Sequence, residues 1–97
     1  MQGYHAPPSP PAVPDPVRRA AWDGYITLIT TVLPVLRAGR ESRAGEMDAA
    51  WRQLRAAVRA TGSSDVERLF TALPQSPVPA DLDALTAALA GMAGVRR

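Results

Sequence analysis

The 97-residue sequence predicts an all-α protein, a small three- to four-helix bundle preceded by a disordered, Pro-rich N-terminal tail. Three observations support this fold class. Apolar residues recur every three or four positions, capping residues, glycines and prolines bound each such segment, and no stretch shows the alternation typical of a strand. The sequence divides into a tail and a helical domain at residues 1–14 and 15–97, with helices at about 16–38, 43–61, 65–73 and 81–93.

The tail is defined by its prolines, because six of the ten in the chain lie in residues 1–16. Proline has no backbone N–H and a fixed φ, so this density opposes both helix and sheet and favours an extended polyproline conformation. Pairs such as Pro7 and Pro10 have the spacing of SH3 and WW ligands. The sequence leaves open whether the tail is such a ligand or only a solvated leader.

The first helix has clear start and stop signals. Asp15 is expected to cap the first free backbone amides, and Pro16 fits the first helical position, where an N–H would be unpaired in any case. Gly39 is expected to stop the helix. Pro34 predicts a kinked or interrupted last turn.

The same helix carries an unusually wide apolar face. At about 100° per residue, Gly24 and Pro34 fall on the polar side, and Arg18 is the one charged residue on the apolar side. The apolar residues span about 180° of the circumference, and they are Val17, Ala21, Trp22, Tyr25, Ile26, Leu28, Ile29, Val32, Leu33, Val35 and Leu36. One neighbouring helix does not cover so wide a face, so we expect part of it to contact a partner.

The second helix is predicted to end before Gly62 and to bury one stripe, formed by Met47, Trp51, Leu54 and Val58. Its other side carries Ala49, Ala56 and Ala60. Alanines on one side of a helix indicate either a second packing surface or ordinary exposed filler, and the sequence does not decide between them.

The last two helices are short. Ser64 and Glu67 have the spacing of a capping box at the start of the third helix, which Pro74 ends. Asp81 or Pro79 is expected to start the fourth helix, whose buried side carries Leu82, Leu85, Leu89 and Met92.

The residue types needed for catalysis are missing or unpositioned, so the sequence predicts no enzyme and no catalytic, cofactor or metal site. There is no cysteine, and the one histidine, His5, lies in the tail. Asp65, Glu67 and Asp81 are explained by helix capping, which leaves no carboxylate pair for acid–base work or metal binding. The most apolar run, residues 24–36, is shorter than the roughly 20 residues that span a bilayer, so we expect a cytoplasmic protein without a membrane or small-molecule partner.

A nucleic-acid accessory protein is an alternative, because Arg52, Arg55 and Arg59 form a ridge on the second helix. Against it, the net charge is only +2, and Asp48 stands four residues before Arg52, where it is expected to form a surface ion pair. Nucleic-acid binding is therefore predicted to be less probable than protein binding.

Two family resemblances lie in the first helix. Trp22, Asp23 and Gly24 spell W-x-G, the motif of the WXG100 family of exported helical hairpins, although that family has the motif in a turn. Residues 22–39 also resemble the W-(D/E)…LL…L…L-x-A-G pattern of the CATRA-associated small proteins, which are helical accessory proteins encoded beside CHAT-type proteases in bacterial conflict systems. This resemblance implies a non-catalytic partner of a larger effector.

The function that the sequence favours is a non-catalytic helical protein–protein interaction or accessory module, which binds a protein partner or associates with itself. The candidate interface residues are Trp22, Tyr25, Ile29, Trp51, Arg52, Arg55 and Arg59. A nucleic-acid accessory and a WXG100-like exported protein are the alternatives.

Overall fold

The structure, a computed structural model, describes residues 15–38 and 44–95. The tail predicted at residues 1–14 lies outside the described residues. The helices are α1 (Pro16–Thr27), α2 (Leu33–Ala38), α3 (Ala44–Thr61), α4 (Ser64–Thr71) and α5 (Asp83–Ala93), with a π-helical turn at Leu28–Val32 and a 3-10 turn at Pro79–Leu82. Since α1, the π-turn and α2 are continuous, the described chain contains four separate helical rods and no strand, which confirms the predicted all-α fold.

The first rod begins as its sequence predicts. Asp15 has an extended backbone, and its Oδ1 accepts a hydrogen bond from the Arg18 N–H at 3.0 Å. Pro16 occupies the first helical turn, where its missing N–H leaves no bond unmade. The capping assignment at Asp15 is therefore confirmed.

The π-turn is the interruption that Pro34 predicts, but it lies before the proline rather than in the last turn. The Leu33 N–H donates to the Leu28 carbonyl, five residues back instead of four. A proline ring collides with the carbonyl four residues earlier, here that of Thr30, and the wider π-turn gives the ring room. Val32 at the end of the π-turn and Leu33 at the start of α2 are both buried.

Helix α1 lies between α3 and α5 and contacts both. Helix α4 contacts α3 and α5, so it covers the side of the pair away from α1. The large, fully buried side chains come from the stripes that the spacing predicts, and they include Leu28, Leu54, Val58, Val66, Leu82, Leu85 and Leu89. The first two rods in the chain thus pack directly against each other.

Gly24 corrects the predicted orientation of α1, because it is buried and not on a polar surface. A Cβ at this position would lie 3.2 Å from Cδ1 of Leu89 and 3.3 Å from Cβ of Ala57. Ala20 and Ala21 are buried beside it. The closest packing of α1 thus uses its smallest residues, which a hydrophobicity wheel does not identify because glycine adds no apolar surface.

The connection from α3 to α4 corrects the predicted capping box. Gly62 has a positive φ of 67°, and Ser63, not Ser64, is the N-cap, since its Oγ accepts from the Val66 N–H at 3.2 Å. With the cap one residue earlier, Glu67 is no longer at the position from which a carboxylate reaches back. The buried hydroxyl of Thr61 accepts from the Ser63 N–H at 3.2 Å and donates to the Val58 carbonyl at 2.6 Å.

The fourth rod begins at Pro79, the earlier of the two expected starts, as a 3-10 turn that continues into α5. Asp81 is not the N-cap. Its Oδ2 accepts from the Val78 N–H at 2.9 Å, so the carboxylate still satisfies a free backbone amide. At the other end, Gly94 has a positive φ of 75°, and the Val95 N–H donates to the Ala90 carbonyl at 2.9 Å, as in a Schellman motif.

Candidate interaction surfaces

Two grooves are lined partly by α3, and four of the seven predicted interface residues line them: Trp22, Trp51, Arg52 and Arg55. The alanine groove has a volume of about 550 Å³ and is lined by Ala20, Trp22, Asp23, Ile26 and Thr27 of α1 and by Gln53, Ala56, Ala57 and Ala60 of α3. The arginine groove, of about 410 Å³, is lined by Asp48, Trp51, Arg52 and Arg55 of α3, by Phe70 of α4 and by Leu73, Pro74, Gln75 and Pro77.

The alanine groove arises from a difference in side-chain size between its two helices. Ala56 and Ala60 are exposed on α3, whereas Trp22 and Ile26 of α1 have larger side chains and are half-buried. The small alanine side chains of α3 lie beside the larger apolar side chains of α1, and this difference in size forms the groove. The alanine side of α3 is therefore open surface in the described structure rather than a second packing face.

The first rod, which runs from α1 through the π-turn into α2, leaves part of its wide apolar face exposed. Ala21, Leu28, Val32 and Leu33 are buried, but Val17 is 42% and Ile29 is 37% exposed. Trp22 and Tyr25 are half-buried against the core, with ring centroids 6.3 Å apart and planes tilted by 40°. The described helices thus leave two of the eleven residues of the predicted apolar face exposed and five of them half-buried.

The arginine groove has an aromatic floor. The ring centroids of Trp51 and Phe70 are 6.4 Å apart, with planes inclined by 60°, and both residues are half-buried against the core. This tilted arrangement is a favourable one for two aromatic rings, so each ring holds the other in place. Pro74 and Pro77 form the rim beyond α4 and have fixed φ angles.

One edge of this groove is cationic. Arg52 and Arg55 are exposed, and the expected ion pair between Asp48 and Arg52 is not formed. Among the side chains that the structure describes, the ion pairs are Arg19–Asp23 and Arg68–Asp65. An exposed pair at this spacing gains only about 0.3–0.5 kcal/mol, which hydration and side-chain entropy offset. The expectation of an Asp48–Arg52 pair was therefore wrong.

A smaller groove of about 160 Å³ adjoins the arginine groove, shares Arg55 and Phe70 with it, and is also lined by Arg59 and Glu67. Trp51, Arg52 and Arg55 thus line one groove, and Arg59 extends its basic edge. Trp22 lines the alanine groove. Tyr25 packs against the ring of Trp22, but neither Tyr25 nor Ile29 lines the alanine groove or the arginine groove.

Sequence reasoning did not place Phe70, Leu73 or Pro77 among the candidate interface residues, although all three line the arginine groove. Of the apolar residues of α4, Val66 and Leu69 line neither the arginine groove nor the small one beside it. No local signal identifies Phe70, because its place beside Trp51 depends on how α4 packs.

No three side chains of His, Cys, Asp or Glu that the structure describes come together as metal ligands. None of the helices in residues 15–38 and 44–95 is both long enough and apolar enough to cross a membrane.

Comparison with known proteins adds no relative to this description. Neither the family models, nor the curated proteins, nor the solved structures contain a match to the chain. The two grooves are thus the basis for any assignment of function.

Proposed function

We propose that this protein is a non-catalytic helical interaction module, of cytoplasmic location, that binds a helix of a partner protein in the alanine groove. The observation that carries the proposal is the meeting of two surfaces there: the half-buried apolar side chains of α1, Trp22 and Ile26, and the exposed alanines of α3, Ala56 and Ala60.

The shape of the groove favours a helix as its occupant. Small residues allow two helix backbones to approach closely, as Gly24 and Ala57 already do inside the bundle. A docked helix would remove Trp22 and Ile26 from water, and each square ångström of apolar surface so buried contributes about 25 cal/mol. Tryptophan is among the residues that dominate binding energy when they lie in such a contact.

The partner is either a second copy of this chain or a larger protein. The resemblance of residues 22–39 to accessory proteins of bacterial conflict systems favours the larger protein, since such accessories act on an effector. Light scattering coupled to size-exclusion chromatography distinguishes the two. A dimer that becomes a monomer on Ala56→Arg indicates a second copy, whereas a monomer directs the search to a different protein.

The test of the groove itself is affinity purification of the tagged full chain. Ala56→Arg fills the groove with a charged side chain and leaves the fold intact because residue 56 is exposed, and we expect it to reduce recovery of the partner by at least about tenfold. The matched control is Ala87→Arg, at an exposed position of α5 outside both grooves. Equal recovery with both variants, together with an unchanged oligomeric state, would overturn the proposal.

A further inference from the structure

We propose that the arginine groove is a second, separate docking site, and that it takes an acidic peptide segment carrying one bulky apolar anchor residue. The proposal concerns a surface other than the alanine groove and does not depend on it. Its evidence is the combination of an aromatic floor, a proline rim and a cationic edge in one concave surface.

The floor is suited to an apolar anchor. Trp51 and Phe70 are fixed against each other at 6.4 Å and are only half-buried, so part of each ring faces the groove. Leu73 adds an aliphatic contact beside them. Pro74 and Pro77 give the rim little conformational freedom to lose, and a site that is already ordered binds at a lower entropic cost.

The edge is suited to acidic side chains. Arg52 and Arg55 have no carboxylate within ion-pair distance among the described residues, so their guanidinium groups are available to a ligand. A guanidinium forms two parallel hydrogen bonds with a carboxylate, which fixes its orientation. Asp48 lies at one end of the groove and Glu67 in the adjoining small groove, so the acidic residues of the ligand are placed between them, beside Arg52 and Arg55.

These same charges favour a peptide over a nucleic acid. A duplex presents a regular row of phosphates and needs a continuous basic surface. Asp48 and Glu67 limit the basic strip at both ends, and Asp65 is exposed in the first turn of α4. The tail of the chain is also a poor occupant, because residues 1–14 contain no Asp or Glu to pair with the arginines.

Fluorescence anisotropy with the full chain tests the proposal. The probe is a short fluorescein-labelled peptide in which glutamates flank a single phenylalanine. One control peptide replaces each glutamate by glutamine, and another replaces the phenylalanine by serine. We expect the probe to bind at low salt and each control peptide to bind at least about tenfold more weakly, since both the charge and the anchor contribute.

Variants of the protein locate the binding. The double variant Arg52→Glu/Arg55→Glu is expected to weaken binding of the probe by at least about tenfold, whereas Arg19→Glu, which makes half this charge change on α1 outside both grooves, should change it by less than about twofold. Ala56→Arg should leave the probe bound, so a failure of the alanine groove is distinguishable from a failure here. The proposal is overturned if the probe does not bind at low salt, or if the Arg19 variant loses as much affinity for the probe as the double variant. It is also overturned if a labelled DNA duplex binds more tightly than the probe and the double variant abolishes that binding.

Discussion

The Nε–H of Arg18 donates a hydrogen bond to the backbone carbonyl of Ala93 at 3.2 Å and so joins the first turn of α1 to the last turn of α5. This contact explains the one charged residue on the otherwise apolar face of the first helix. The carbonyls at the end of a helix have no partner within the helix and carry a partial negative charge, which a guanidinium stabilises. Arg18 therefore acts as a remote C-terminal cap for α5.

Replacing Arg18 by alanine should lower the free energy of unfolding by about 1 kcal/mol, because a hydrogen bond from a charged donor and its interaction with the helix end are lost together. Urea denaturation followed by circular dichroism measures the change. Arg19→Ala is the matched control, since the side chains of Arg19 and Asp23 are 61% and 57% exposed, and loss of such a pair should cost less than about 0.5 kcal/mol. Equal losses in the two variants would contradict the capping role.

Two glycines of α5 should respond in opposite directions to alanine. Gly94 has a φ of 75°, a conformation that residues with a side chain rarely adopt, so Gly94→Ala should cost about 1–2 kcal/mol. Gly91 lies inside the helix with nothing within 4 Å of an added Cβ, and its replacement should stabilise the protein by about 0.5–1 kcal/mol. Thermal denaturation of the pair checks the sign of each change, and a stabilising Gly94→Ala would argue against the left-handed end of α5.

Gly24 should resist replacement although it lies in the middle of a helix. Alanine there gains about 1 kcal/mol of helix propensity, but overpacking against Leu89 and Ala57 costs about 1–3 kcal/mol, so we expect a net loss of about 1 kcal/mol. The control is Gly45→Ala in the first turn of α3, where an added Cβ has no neighbour within 4 Å and stability should not fall. Chemical denaturation that shows Gly24→Ala to be as stable as the parent would mean that α1 is not held closely between α3 and α5.

The two adjacent serines before α4 distinguish the observed cap from the one that the sequence suggests. Ser63→Ala should reduce the free energy of unfolding by about 1 kcal/mol because the Val66 N–H loses its acceptor. Ser64→Ala should change it by less than about 0.3 kcal/mol, since residue 64 is an exposed first residue of the helix. A larger loss at Ser64 than at Ser63 would restore the sequence-based assignment.

Signals that act over a few residues were predictable from the sequence. Asp15 caps the next turn and Pro79 starts a helical turn because each satisfies or omits a neighbouring backbone bond. Leu85 and Leu89 are buried as their spacing predicts. These assignments need no knowledge of the rest of the fold, since the physical cause lies within the segment itself.

What the sequence did not reveal depends on contacts between segments. The burial of Gly24 follows from how closely α3 and α5 approach, and apolar periodicity does not report that distance. The π-turn lies before Pro34 and not in the last turn of the rod, and a wheel, which assumes a constant turn angle, does not show it. The arginine groove requires Phe70 to lie beside Trp51, which only the placement of α4 decides. The candidate arginines were predictable, but the groove that they line was not.

The position of α1 between α3 and α5 has a consequence for the order of synthesis. The ribosome releases α1 first and α5 last, so the side of α1 that Leu89 covers stays in water until the other helices have been made. Leu89 cannot cover the surface of α1 at Gly24 until α5 has been made, and apolar surface exposed in an incomplete chain favours aggregation or chaperone binding. A ribosome that stalls within α5 therefore leaves an incomplete bundle rather than a shorter version of the same one.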